Sequence, residues 1–187
     1  GLAGEDAERY APWVARHAAD LAQLTGQRIA LAEGGRVYVR MVLSPDPVAF
    51  IRASGVQREL TRVFGSASQV AGLLDRAPAE GWAWLVPGLR PGGHEIQFGL
   101  VVVHTRHDPA TIWGCIVEEL SQLLGLLGDD DDVAWSVFND RSPYSDLTEL
   151  DRWLLRILYH TAIRPGMTRA EAVAGAREAM REFRPGR

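Results

Sequence analysis

Between Pro109 and Leu127 the chain carries a helical stretch that is apolar around most of its circumference. Ile112, Trp113, Cys115, Ile116, Val117, Leu120, Leu123, Leu124, Leu126 and Leu127 cover the greater part of it. At roughly 100° per residue, Thr111, Gly114, Glu118, Ser121, Gln122 and Gly125 share one narrow small-and-polar face, with Glu119 at its edge. A helix of this kind cannot lie on a surface. Other elements must wrap most of it, leaving the polar stripe to face solvent, a cleft or an interface. Pro109 suits the first turn of such a helix. With 187 residues, 47% hydrophobic and 24% charged, the chain is large enough to surround it as one domain.

The remaining elements follow from local patterns. Tyr10, Trp13, Val14, His17, Leu21 and Leu24 recur at helical spacing over residues 7–25, and Gly26 is placed to cap that helix. Residues 28–32 and 36–43, rich in Val, Ile and Tyr around Glu33-Gly34-Gly35, are predicted as two strands of a hairpin. Short helical patterns follow the Pro45-Asp46-Pro47 break through Arg76. Residues 82–86 and 95–104 are predicted strands, separated by Pro87-Gly88 and Pro91-Gly92-Gly93. Thr148 with Asp151 opens a helix through Tyr159, and Thr168 with Glu171 forms the capping box of a last helix. The fold class is α+β: a small mixed sheet of about four strands packed on a central core helix, with further helices toward the C-terminus. Residues 1–8 are expected to be loose and residues 9–187 to form one domain.

Composition removes several function classes. All twenty basic residues are Arg, so Schiff-base chemistry and the phosphate-loop lysine are excluded. One Cys forms no internal disulfide. The net charge of −4 and the scattered arginines argue against nucleic acid as a partner. The apolar run at 98–103 is far shorter than the roughly 20 residues of a membrane span. Residues 1–9 lack the charged-then-apolar pattern of a signal peptide, as expected of a chain whose leader has been trimmed.

The core helix carries the spacing of a metalloprotease helix. In that chemistry two ligands one turn apart hold Zn²⁺, a carboxylate after the first polarises the metal-bound water, and a Gly turns the chain toward a third ligand. Here the ligand positions hold Glu118 and Gln122, the general-base position Glu119, the turn Gly125, and the third-ligand position Gly128. On these residues the sequence resembles the metzincin zinc peptidases. Ser136-Val137-Phe138 stands where their Met-containing turn would be, Tyr144 where they often carry a Tyr, and the helix from Thr148 to Tyr159 looks like their final helix. The chain also looks very similar to an uncharacterised bacterial family, a domain of unknown function. That likeness rests on Glu118-Glu119-x-x-Gln122-x-x-Gly125, Ser136-x-Phe138-x-Asp140, Leu158-Tyr159 and Pro165-Gly166-Met167.

The resemblance implies a zincin-like fold and, at the bacterial envelope or in the periplasm, a peptide or protein partner. Glutamate and Gln are poorer zinc partners than imidazoles and Gly offers no side chain, so zinc catalysis is expected to be lost and no cofactor is expected. The alternative is an active metal-dependent hydrolase. Glu118, Gln122 and one of Asp129 to Asp132, or a histidine such as His104 or His107, would then hold a divalent metal such as Ca²⁺ or Mg²⁺, with Glu119 as general base. A purely structural subunit is the third reading. His104, Arg141 and Tyr144 are the candidates for contacting a bound substrate, and strand 95–104 is expected to be the edge that accepts an extended peptide. The bland alternatives stay open: a solvated stripe for the Glu pair, a solvated loop for Asp129 to Asp132, hydrogen-bonded edge residues for His104 and His107. Asn139 and Asp140 fit turn chemistry, His17 a satisfied half-buried residue and Cys115 an inert buried thiol.

Overall fold

A computed structural model describes residues 1–32, 38–77, 82–89 and 92–183. Its sheet has four strands, β1 (Leu2–Ala3), β2 (Val39–Ser44), β3 (Ala83–Leu89) and β4 (Ile96–His104), in the spatial order β1-β2-β4-β3. β1, β2 and β4 run parallel, and β3 is antiparallel to β4. Among the described residues there are seven helices: α1 (Ala7–Thr25), α2 (Pro47–Ala53), α3 (Val56–Phe64), α4 (Ala67–Asp75), α5 (Pro109–Gln122), α6 (Glu149–Leu158) and α7 (Arg169–Glu182). The α+β class and the strand number expected from the sequence are those observed.

Helices cover both faces of the sheet, which is why the central strands read as continuous apolar runs rather than alternating ones. Met41, Leu43, Val101 and Val103 point to one side, where they pack with Tyr10 and Val14 of α1 and Ile112, Cys115 and Ile116 of α5. Val42, Phe98, Leu100 and Val102 point to the other, against Ile51, Leu60, Val70 and Leu74 of α2 to α4. A third cluster sits beyond α5, where Val117 meets Leu21 and Leu24 of α1, Val137, Phe138 and Leu147 of the following loop, and Leu155 of α6. α5 is thus enclosed by the sheet on one side and the C-terminal segment on another, which accounts for its nearly all-round apolar surface. The helix approaches the sheet closely: a Cβ at Gly99 of β4 would lie 2.1 Å from Leu123 Cδ2.

The structure departs from the sequence expectations at five places. Pro87 and Gly88, expected as a turn, lie inside β3 and pair with Gly99 and Phe98. Residues 28–32 form no strand, and the expected hairpin turn lies outside the described residues. Both sides of β2 are already occupied, by β1 and β4, so no hairpin partner can pair with it. Residues 1–8 are not loose. Leu2 and Ala3 pair with Met41 and Val42, and the Asp6 N–H donates to the Leu43 carbonyl at 3.1 Å. Strand 95–104 is not an edge: β4 lies between β2 and β3, leaving β3 at the rim. Finally, α5 stops at Gln122 rather than Leu127. Gly125, at φ +123, takes a backbone conformation that only Gly adopts without strain, and the chain turns away there.

Candidate functional site

A cleft of about 640 Å³ lies between the C-terminal half of α5 and the edge strand β3. Cys115, Glu118, Glu119 and Gln122 line it from the helix; Ala83, Trp84, Leu85 and Pro87, with the preceding Trp82, line it from the strand. Leu127, Gly128, Asp129 and Asp140 close one end. The helical spacing explains the first wall, since positions i, i+3, i+4 and i+7 share a face. The polar stripe expected on α5 therefore divides. Glu118 and Gln122 face the cleft, whereas Ser121 is fully buried toward α1, donating to the Val117 carbonyl at 2.6 Å and lying 3.1 Å from His17 Nε2.

The loop after α5 is stitched to itself, and this brings two distant aspartates to the same end of the cleft. The Asp130 N–H donates to the Phe138 carbonyl at 2.8 Å, Asn139 Nδ2 to the Asp131 carbonyl at 3.1 Å, and Arg141 pairs with the Asp131 carboxylate at 3.0 Å. Behind it, the fully buried Asp151 accepts from Ser136 Oγ at 2.6 Å, the Val137 N–H at 3.0 Å, and both the backbone N–H and the hydroxyl of Thr148 at 2.8 Å. Ser136 and Asp151 are therefore one lock joining the turn to the start of α6. At the other end of α6, the Tyr159 hydroxyl donates to the Leu124 carbonyl at 2.9 Å, fixing the turn that follows α5.

Four carboxylates meet in the cleft. Ligand atoms of Glu118, Asp129 and Asp140 all lie within 4.8 Å of one another. Glu119 is 8% exposed and its carboxylate has no hydrogen-bond partner among the described residues. Gln122 Nε2 donates to Asp129 Oδ1. Burial, then the negative charges of Asp129 and Asp140, push the Glu118 carboxyl up to about 8. Burial and then Glu118, Asp129 and Asp140 do the same to Glu119, also to about 8. Asp140 is raised by burial and the neighbouring aspartates. Burial and the two glutamates push the Cys115 thiol up to about 12, which leaves it protonated and unreactive at neutral pH.

Of the residues singled out from sequence, Glu118, Glu119 and Gln122 come together here, and Asp129 joins them. His104, Arg141 and Tyr144 do not line the cleft. His104 ends β4 with Nε2 buried and unpartnered; Arg141 is turned outward in its pair with Asp131; Tyr144 is 47% exposed. Asp140 and the β3 wall are what sequence reasoning missed. Asp140 carried a signal, as the last position of the Ser-x-Phe-x-Asp group, but turn chemistry explained it equally well.

The residues present do not fit the zinc ion that the metzincin resemblance would imply. Gln122 spends its amide N–H on Asp129, Gly128 has no side chain, and none of the five histidines lines the cleft. A hard cation, which prefers carboxylate oxygens, matches the donor set better.

Fold and site define an α+β domain with an acidic cleft beside an edge strand. The chain belongs to the family described as "Protein of unknown function (DUF2927)", whose sequence profile matches residues 2–178. No match is found among curated proteins or among solved structures.

Proposed function

We propose that the domain is a zincin-like module that has lost zinc catalysis and binds an extended peptide or protein segment in the cleft, at the bacterial envelope. The envelope location rests on the family resemblance. The observation that carries the binding reading is the hydrogen-bonding state of β3. The His104 N–H donates to the Trp82 carbonyl at 2.9 Å, so Trp82 faces His104 as a hydrogen-bonded pair. In an antiparallel ladder such pairs alternate, so Trp84 and Val86 also turn their backbone groups to β4, while Ala83, Leu85 and Pro87 turn theirs outward. Pro87 sits where a missing N–H costs no ladder bond. Ala83 and Leu85 keep N–H and C=O groups free among the described residues, two residues apart on one edge, which is the repeat an added strand requires.

The test is selection of peptides from a random displayed library on immobilised protein, followed by affinity measurement with Leu85→Pro, which removes one outward N–H. Enriched peptides that bind the wild type and lose at least about tenfold in the variant, roughly the value of one well-made hydrogen bond, support strand addition. No enrichment, or equal affinity in a variant that circular dichroism shows folded, overturns it.

A second reading, metal-dependent peptide hydrolysis with Glu119 as general base, is favoured by one observation: this carboxyl is buried, unpartnered and raised toward neutrality, as a general base requires. Hydrolysis of a bound peptide that disappears in Glu119→Gln would establish it in place of the binding module.

A further inference from the structure

We propose that Glu118, Asp129 and Asp140 form a binding site for a hard divalent cation of calcium-like size. Ligand oxygens of one such ion, at about 2.3–2.6 Å from it, lie no more than roughly 5 Å apart. The three carboxylates already offer oxygens within 4.8 Å of one another, one from α5 and two from the stitched loop. Among the described residues no arginine or histidine lines the cleft; Arg141 offsets Asp140 only from outside it, and the one hydrogen-bond donor the three receive is the neutral Gln122 amide.

A group of acidic side chains is common without an ion, but Glu119 supplies an independent indication. It is 8% exposed, opens into the same cleft and accepts no hydrogen bond among the described residues. Its oxygens stay in reach of the cleft's solvent, so with no protein donor its partner has to be a water. A water on an ion held by the other three carboxylates would be placed to donate to it, and so would give this buried side chain the partner that no protein group supplies. Asp129 and Asp140 are exposed, which leaves room on the solvent side for the further waters that calcium coordination demands. The assignment differs from the sequence expectation in its ligands: Gln122 orients Asp129 and is not itself a ligand, and Asp140 takes its place.

The experiment uses untagged, chelator-treated full chain titrated with CaCl₂, MgCl₂ and ZnCl₂ in separate calorimetric runs. A parallel titration with Tb³⁺ exploits Trp82, which lines the cleft and can sensitise lanthanide emission at short range. Expected are one calcium per chain with Kd on the order of 10⁻⁴ M, Tb³⁺ emission displaced by calcium, and at least about tenfold weaker binding in Asp129→Asn/Asp140→Asn. Both positions are exposed, so this variant should fold. No calcium binding, binding unchanged in the double variant, or zinc bound to the exclusion of calcium would each overturn the site. Because these titrations contain no peptide, their failure leaves strand addition at β3 standing, and the failure of peptide selection leaves the cation site standing.

Discussion

Individual carboxylates are used in two opposite ways. Asp151 is fully buried but satisfied, with four donors from Ser136, Val137 and Thr148. Removing it orphans those donors, so Asp151→Ala should lower the unfolding free energy by roughly 3–5 kcal/mol, measured by urea denaturation; a loss below about 1 kcal/mol would show that the lock is dispensable. Glu118 is half-buried and Glu119 buried, both among like charges and without a protein donor among the described residues, and both hold their protons up to about pH 8. A carboxyl raised in the folded state binds more protons there than when unfolded. Its stabilising contribution is therefore fully present below the unfolded value and lost as pH rises through about 8. In chelator-treated protein the melting temperature should fall as pH rises through this window, and Glu118→Gln/Glu119→Gln should flatten that decline. An equally steep decline in the double variant would place the titrating groups elsewhere.

At the scale of elements, local chemistry decided most boundaries. Pro109 and Asp108 start α5, the Thr148/Asp151 and Thr168/Glu171 capping boxes start α6 and α7, and Gly26 closes α1 in the left-handed conformation. Each of these interactions spans five residues or fewer, so the sequence displays it directly. Thr168→Ala should cost about 1 kcal/mol, read from denaturation midpoints, because α7 begins in exposed surroundings where little else substitutes for the cap. Gly125→Ala should cost more, about 1–3 kcal/mol, since a Cβ at φ +123 is strained and would also press to 3.3 Å from Leu158 Cδ2. That substitution displaces the turn leading to Asp129, so cation affinity should fall with it. Unchanged stability would mean that the turn relaxes without strain. The strands were less legible. Residues 28–32 have strand composition, yet Ile29 and Leu31 are used as cover, packing against clusters beside α5 rather than in a ladder.

For the molecule as a whole, α1 and α5 are joined by a polar contact inside an apolar interface. His17 Nε2 lies 3.1 Å from the Val117 carbonyl and 3.1 Å from Ser121 Oγ. Burial lowers the imidazole to about 4, so the ring is neutral in the folded domain. The sign is opposite to that of the cleft glutamates: a histidine that resists protonation contributes stability above its unfolded value near 6.5 and loses it as pH falls through about 4. His17→Gln should flatten the acid side of the stability profile while leaving the alkaline side unchanged; an unaltered acid side would assign that limb to other groups. His17 was read from sequence as a satisfied half-buried residue, and its satisfaction proves to come from a partner a hundred positions away.

The sequence by itself determined the α+β class, the boundaries of α1 and α6, the start of α7, the buried character of α5 and the shared face of Glu118 and Gln122. Helical periodicity and capping act over a few residues and leave their mark in the order of side chains. Only the tertiary structure decided that two residues near the start of the chain form a strand, that β3 rather than β4 is the edge, and that Asp140 reaches Glu118 while His104, Arg141 and Tyr144 stay outside the cleft. These depend on contacts between segments tens of residues apart, where strand order and loop closure set the neighbours and no local pattern records them.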